Sequence, residues 1–193
     1  MFNAHSVTGL TGGMGAGKST ISAMLPSLGY TIVDADMLTR TVHRQPEVCN
    51  MLCQAFGPDV IDPVSLSVNR TILAKYAFAS EQARNLLDQI MRPALKNAAI
   101  QAIHQAKNPV ILDAPLLFEA GWDDMTDQNV VILCPEYIRI QRILNRDNLS
   151  IEHIKKRLYA QMSDIERCAK ADYLIYNCAD IQNIHRQVLN IFA

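Results

Sequence analysis

The residues from Gly9 to Thr20, GLTGGMGAGKST, hold five glycines, a lysine and two adjacent hydroxyls in twelve positions. Gly12-x-x-x-x-Gly17-Lys18-Ser19 satisfies the Walker A pattern, with an apolar run ending at Leu10 before it and a helix-like segment after it. Glycines reach backbone angles that other residues resist, so successive N–H groups can converge on phosphate oxygens. A helix beginning near Lys18 adds its unsatisfied donors and the positive end of its dipole. Gly13, Met14, Gly15, Ala16, Gly17, Lys18, Ser19 and Thr20 are therefore the expected cradle of a nucleoside triphosphate. Lys18 is expected to reach the β- and γ-phosphates and the Ser19 hydroxyl to ligate Mg2+. A dinucleotide-binding turn is the rival, since Asp34 and Asp36 lie at a suitable distance, but no G-x-G-x-x-G register exists here.

Carboxylates supply the second half of the chemistry. Tyr30–Asp36, YTIVDAD, sends Asp34 and Asp36 out of the end of an apolar run. Phosphoryl transfer to an alcohol needs a carboxylate to accept the hydroxyl proton, and Mg2+ needs charged oxygens nearby. Capping of the following helix is the alternative use of either residue. Asn108–Pro115, NPVILDAP, ends a third run in Asp113 followed by Ala114, so the glutamate that activates water in ABC-type ATPases is missing. Asp113 either assists Mg2+ through water or caps the strand end. No Asn-Lys-x-Asp guanine-reading motif is present, which argues against a GTPase switch.

Six of the 18 Lys and Arg residues fall between Arg139 and Arg157. Arg139, Arg142 and Arg146 are three and four apart and share one helical face. A basic flap over the phosphates would neutralise migrating charge and exclude water, so about residues 135–170 are read as a lid.

These groups need a scaffold. Strand-like runs at Ser6–Leu10, Tyr30–Val33, Val110–Leu112, Asn129–Leu133 and Tyr173–Tyr176 alternate with helical stretches, the pattern of a parallel sheet covered by helices. Between the second and third runs, helices are predicted at about Pro46–Phe56, Asn69–Phe78, Glu81–Met91 and Pro93–Gln105, with Pro93 separating the last two. This insertion reads as a helical lobe on the ligand-binding edge of the sheet.

With 193 residues, 49% of them hydrophobic and a formal net charge of −1, the chain has ordinary globular composition. It carries no global basic field for nucleic acid or an anionic membrane. Five cysteines without a C-x-x-C pair read as free thiols in a reducing compartment. The first residues lack a secretory signal, and no apolar run approaches the ~18 residues of a membrane span. A cytoplasmic protein with no obligate protein partner is expected.

Beyond the phosphate loop, an ordered set of blocks resembles the dephospho-CoA kinase family over nearly the whole chain. The Leu-Thr-Gly-Gly lead-in, Asp-Ala-Asp with Arg40 four residues on, NRTIL (Asn69–Leu73) and PLLFE (Pro115–Glu119) match it. RILNRD (Arg142–Asp147), AQM (Ala160–Met162) and ADYLIYN (Ala171–Asn177) follow in the same order. The resemblance implies an α/β, P-loop NTPase-type fold with a five-stranded parallel sheet, a helical CoA lobe and a lid. Core, lobe and lid would occupy about 1–36, 109–134 and 171–193; about 37–108; and about 135–170. It implies ATP-dependent phosphorylation of the ribose 3′-hydroxyl of dephospho-CoA, with ATP as co-substrate and Mg2+ as cofactor. Asp36 becomes the base, Lys18, Arg142 and Arg146 the catalytic cations, and Asn177 the neighbour of the adenine. Asp34, Arg40, Arg70, Pro115 and Leu116 are implied on the acceptor side, and Asp34 and Asp113 remain candidate Mg2+ ligands beside Ser19.

Three positions depart from the family pattern. Arg92-Pro93 stands where the family has His-Pro, so Arg92 either grips a phosphate of the acceptor or is a surface change. Ala179 stands where Gly is frequent, and Arg139, where Gln is common, is a weaker functional candidate than Arg142.

Overall fold

The computed structural model describes residues 6–147, 149–178 and 180–193; the departure at Ala179 lies outside them. The chain divides into two compact units, one of residues up to Asp34 together with Ile103–Ala193, the other Ala35–Ala102.

The first unit is built on a parallel sheet of five strands among the described residues: β1 (Val7–Gly12), β2 (Thr31–Asp34), β3 (Val110–Asp113), β4 (Gln128–Leu133) and β5 (Tyr173–Tyr176), in the order β2-β3-β1-β4-β5. β1 and β3 are buried along their whole length, which is why they read as unbroken apolar runs. Helices α1 (Lys18–Ser22) and α9 (Ile181–Phe192) bury Ile21, Ile184, Val188 and Phe192 with Leu10, Ile111, Val130, Ile132 and Ile175 in one core. The four-residue spacing of Ile184, Val188 and Phe192 is the apolar stripe of a helix that covers a sheet. Tyr30 closes that core edge-on against Phe192, ring centroids 5.5 Å apart. Helices α6 (Glu136–Arg146), α7 (Ile151–Tyr159) and α8 (Asp164–Ala169) occupy the segment read as a lid. Ile143, Ile154 and Leu158 form a small core there, and Met14 of the phosphate loop packs against it.

The second unit is helical: α2 (Ala35–Val42), α3 (Pro46–Phe56), α4 (Arg70–Ala77) and most of α5 (Glu81–Gln105). Pro46 starts α3 at a position where its missing N–H is not needed, and the Asn69 side chain caps α4 by accepting the Ile72 N–H.

Pro93 does not separate two helices; α5 runs through it. Leu87, Ile90, Met91, Ala94, Leu95 and Ala98 form one stripe packed on Val48, Leu52 and Leu73, and the stripe continues across the proline. Both Pro93 and Gln89, whose carbonyl loses its helical partner, are exposed, so water can take the freed acceptor. Tertiary burial outweighs the local preference.

Candidate active site

The register places the reactive groups in one row. Asp34 on β2, Asp113 on β3 and Leu10 on β1 are Cα partners across adjacent strands. The phosphate loop leaves β1 after Gly12, so it begins beside two carboxylates at the C-terminal edge of the sheet, where open α/β sheets bind ligands. Lys18 Nζ forms an ion pair with Asp113 Oδ1, and the Asp113 side chain is only 6% exposed. Ser19 and Thr20 are exposed in the first turn of α1. Pro115 accepts a hydrogen bond from the Thr11 hydroxyl at 3.3 Å, and Leu116 beside it is exposed although apolar.

The loop is held from its other side. Gly17 has φ +87° and caps α1, and a side chain there would enter the Asn177 amide and stand 3.2 Å from Arg142 Nη1. At Gly13 the Arg139 guanidinium approaches so closely that an added Cβ would lie 2.6 Å from Nη2. Arg142 Nη1 donates to the Ala16 carbonyl at 3.3 Å, and Nη2 donates to the Asn177 carbonyl at 3.0 Å. The Asn177 side chain, 3% exposed, donates to the same Ala16 carbonyl at 2.7 Å. Met14 is fixed at both ends of its backbone: its N–H donates to Gln161 Oε1 at 2.9 Å, and its carbonyl accepts from Arg139 Nε at 2.9 Å. Arg139, 6% exposed, is completed by Asp164 at 2.9 Å.

The arginine face therefore does not act as one surface. Arg139 is buried behind the loop tip, Arg142 reaches the loop carbonyls, and Arg146 is exposed in a two-bond pair with Asp147 at 2.8 and 2.9 Å. That pair holds the Asp147 carboxyl below its ordinary range. Three of the cradle's backbone N–H groups have protein partners: Met14 on Gln161, Ala16 on the Gly13 carbonyl at 3.0 Å and Thr20 on the Gly17 carbonyl at 3.1 Å. Asn177 touches the loop itself. Arg139, which its departure from the family pattern made the weaker candidate, is the more deeply integrated residue. Gln161 and Glu119 stand inside the AQM and PLLFE blocks without an assigned role, and Arg167 carries no motif at all.

The remaining candidates belong to the second unit. Asp36 lies exposed in the first turn of α2, where a carboxylate suits the helix dipole, and Arg40 is exposed in its last turn. Arg70 begins α4, and its charge together with burial keeps the His43 imidazole below its ordinary pKa, burial being the larger cause. Arg92 is exposed and pairs with Asp88 at 3.0 Å.

A family model described as dephospho-CoA kinase matches residues 6–183. A protein named dephospho-CoA kinase from Syntrophotalea carbinolica is 38% identical, with 97% of this chain and 90% of that protein covered. One from Acinetobacter baylyi is 36% identical over 95% and 94%. Among solved structures, TT1252 from Thermus thermophilus superposes with a TM-score of 0.84 at 27% identity, covering 97% of this chain and 96% of that one. A shikimate kinase from Bacteroides thetaiotaomicron, at 14% identity and a TM-score of 0.53, shares the fold. The chain belongs to the dephospho-CoA kinase family, whose reaction is the ATP-dependent phosphorylation of dephospho-CoA in coenzyme A synthesis.

Proposed function

We propose that this chain transfers the γ-phosphoryl of ATP to the ribose 3′-hydroxyl of dephospho-CoA, with Asp36 as the base. The observation that carries the reading is the row of Asp34, Asp113 and the start of the phosphate loop at one sheet edge, with Lys18 already drawn to Asp113. Lys18 exchanges its partner from Asp113 to the β- and γ-phosphates when nucleotide enters. Asp36 accepts the hydroxyl proton as the ribose oxygen bonds to phosphorus and the bridging P–O bond to ADP breaks. Arg142 and Arg146 offset the charge that spreads over the transferred group. Arg142 does so from a braced position, and Arg146 must leave Asp147 to take part.

The residues fit Mg2+. This ion takes one or two carboxylates with substrate phosphates and waters rather than an all-protein cage. Asp34 and Asp113 as strand partners and the exposed Ser19 hydroxyl offer that donor set. Bound there with ATP, Mg2+ would neutralise phosphate charge.

Acceptor binding is assigned to Asp34, Arg40, Arg70, Pro115 and Leu116, and the exposed apolar Leu116 supports this. Asn177 and the loop residues Gly13–Thr20 are assigned to ATP, Asn177 at the adenine end and through its bond to Ala16. Among the described residues no helix is long and apolar enough to cross a membrane. The five unbridged cysteines support a cytoplasmic setting. ADP release measured with dephospho-CoA against a panel of nucleosides, nucleotides and sugars tests the assignment. Stimulation by dephospho-CoA above the panel is expected, and none would refute it.

A further inference from the structure

Arg167 is 1% exposed although it sits on a helix of only six residues. Its Nη2 donates to Glu119 Oε1 at 3.1 Å and its Nη1 to Asp164 Oδ1 at 3.3 Å. Asp164 also accepts from Arg139, whose Nε donates to the Met14 carbonyl. A second route returns to the same places: Glu119 Oε1 accepts the Met162 N–H at 3.1 Å, and the neighbouring Gln161 accepts the Met14 N–H. With the Met14 side chain in the Ile143 cluster, the loop tip is held by its N–H, its carbonyl and its side chain. Both routes end at Glu119, six residues beyond Asp113.

One bond of this network is open. Arg167 Nε and Glu119 Oε2 are both buried, and neither has a hydrogen-bond partner among the described residues. They are the donor and acceptor that would turn the single Nη2–Oε1 bond into a side-on fork. Arg146 and Asp147 already show that fork through the same Nε and Nη2 atoms. The two-bond form is the stronger and more directional one, and it would satisfy both buried atoms. The peptides flanking Met14 belong to the expected phosphate cradle, and the network joins them to Arg167.

We propose that Arg167 and Glu119 are positioning residues for phosphoryl transfer: nucleotide binding closes Arg167 Nε–H onto Glu119 Oε2, and the completed fork fixes the phosphate loop relative to the segment bearing Asp113 and Leu116. Neither residue touches the reacting atoms. The inference rests on the kinase reading only where activity is measured.

Glu119→Gln discriminates, because its amide oxygen keeps the bonds to Met162 and Arg167 Nη2 while its NH2 opposes Arg167 Nε, donor against donor. The Arg167 Nε–H signal in a 15N NMR spectrum, assigned by its loss in Arg167→Lys, is followed as a non-hydrolysable ATP analogue is added. In the wild type it moves downfield; in Glu119→Gln it does not. Turnover of dephospho-CoA by Glu119→Gln falls about 10- to 100-fold, the loss typical of a displaced reacting geometry. Its KM for dephospho-CoA stays within about twofold, as expected when binding is untouched. A wild-type signal that stays put under saturating nucleotide overturns the proposal, as it would if water filled the gap, and so does wild-type turnover in Glu119→Gln. If Glu119→Gln does not fold, the wild-type spectrum alone decides. A wild type whose signal moves but which transfers nothing to dephospho-CoA refutes the kinase reading and leaves the fork standing.

Discussion

The two sides of the phosphate loop use the same residue types for opposite purposes. On the side proposed to be reactive, Lys18 has a carboxylate partner, Ser19 and Thr20 face solvent, and Asp34 stands next to Asp113. On the bracing side, Arg139, Arg167 and Asn177 are 6%, 1% and 3% exposed and are bonded to carbonyls, carboxylates or both. Cations there are neutralised where they stand, so their value is geometric: they hold the loop by the Met14 backbone, and the Ile143 cluster holds its side chain. A positive charge near a phosphate site is thus not by itself a phosphate ligand.

The contrast can be broken most strongly at Lys18. Lys18→Ala should lower turnover about 10²–10³-fold, the scale for losing one group that stabilises transition-state charge. It also leaves Asp113 buried without its cation, so stability falls. Adding Asp113→Asn should restore the melting temperature without restoring transfer. Recovery of both would place Lys18 on the bracing side. Asp36→Asn should cut turnover about 10²-fold or more, within the range for a general base, with ATP affinity retained in a binding titration. A parallel fall in affinity would make Asp36 a metal ligand instead.

Arg139→Ala tests the opposite side. It strips the Met14 carbonyl of a buried donor and Asp164 of one partner, and urea unfolding should show a loss of about 2–3 kcal/mol, below the full range for a buried pair because Asp164 is partly exposed. Unchanged stability would make this side ornamental. His43 in the second unit gives a smaller effect. Its pKa in the fold is depressed below 6.5, so the unfolded chain binds more protons as pH drops below that value. The contribution is full above about pH 6.5 and is lost as pH falls toward the folded pKa. Melting temperatures should decline there, and His43→Gln should flatten that decline. Arg146→Ala, which removes an exposed pair, should change stability by less than about 0.5 kcal/mol. Its turnover should drop only a few-fold, against a larger drop for Arg142→Ala.

How much of this was legible in the sequence depends on what fixes each residue. The places of Lys18, Ser19, Asp34 and Asp113 at or just after the ends of strands could be read because the apolar runs before them mark the buried strands, and phosphate chemistry makes those residue types candidates there. The bracing side could not, because its partners meet only after folding: Met14 and Gln161 lie 147 positions apart, and Met14 and Arg139 lie 125 apart. Helical spacing grouped Arg139, Arg142 and Arg146 on one face. It could not say that Met14 and Asp164 would enclose the first while the last stayed in solvent. Pro93 misled for a related reason, since the burial that carries α5 through it comes from α3 and α4.

The most direct test of where the reactive side delivers its phosphoryl group is the product itself. Phosphorus NMR of wild-type enzyme with ATP, Mg2+ and dephospho-CoA should show ADP forming together with one new phosphomonoester coupled to the ribose 3′ proton. ADP accompanied by inorganic phosphate, with dephospho-CoA unchanged, would contradict the assignment.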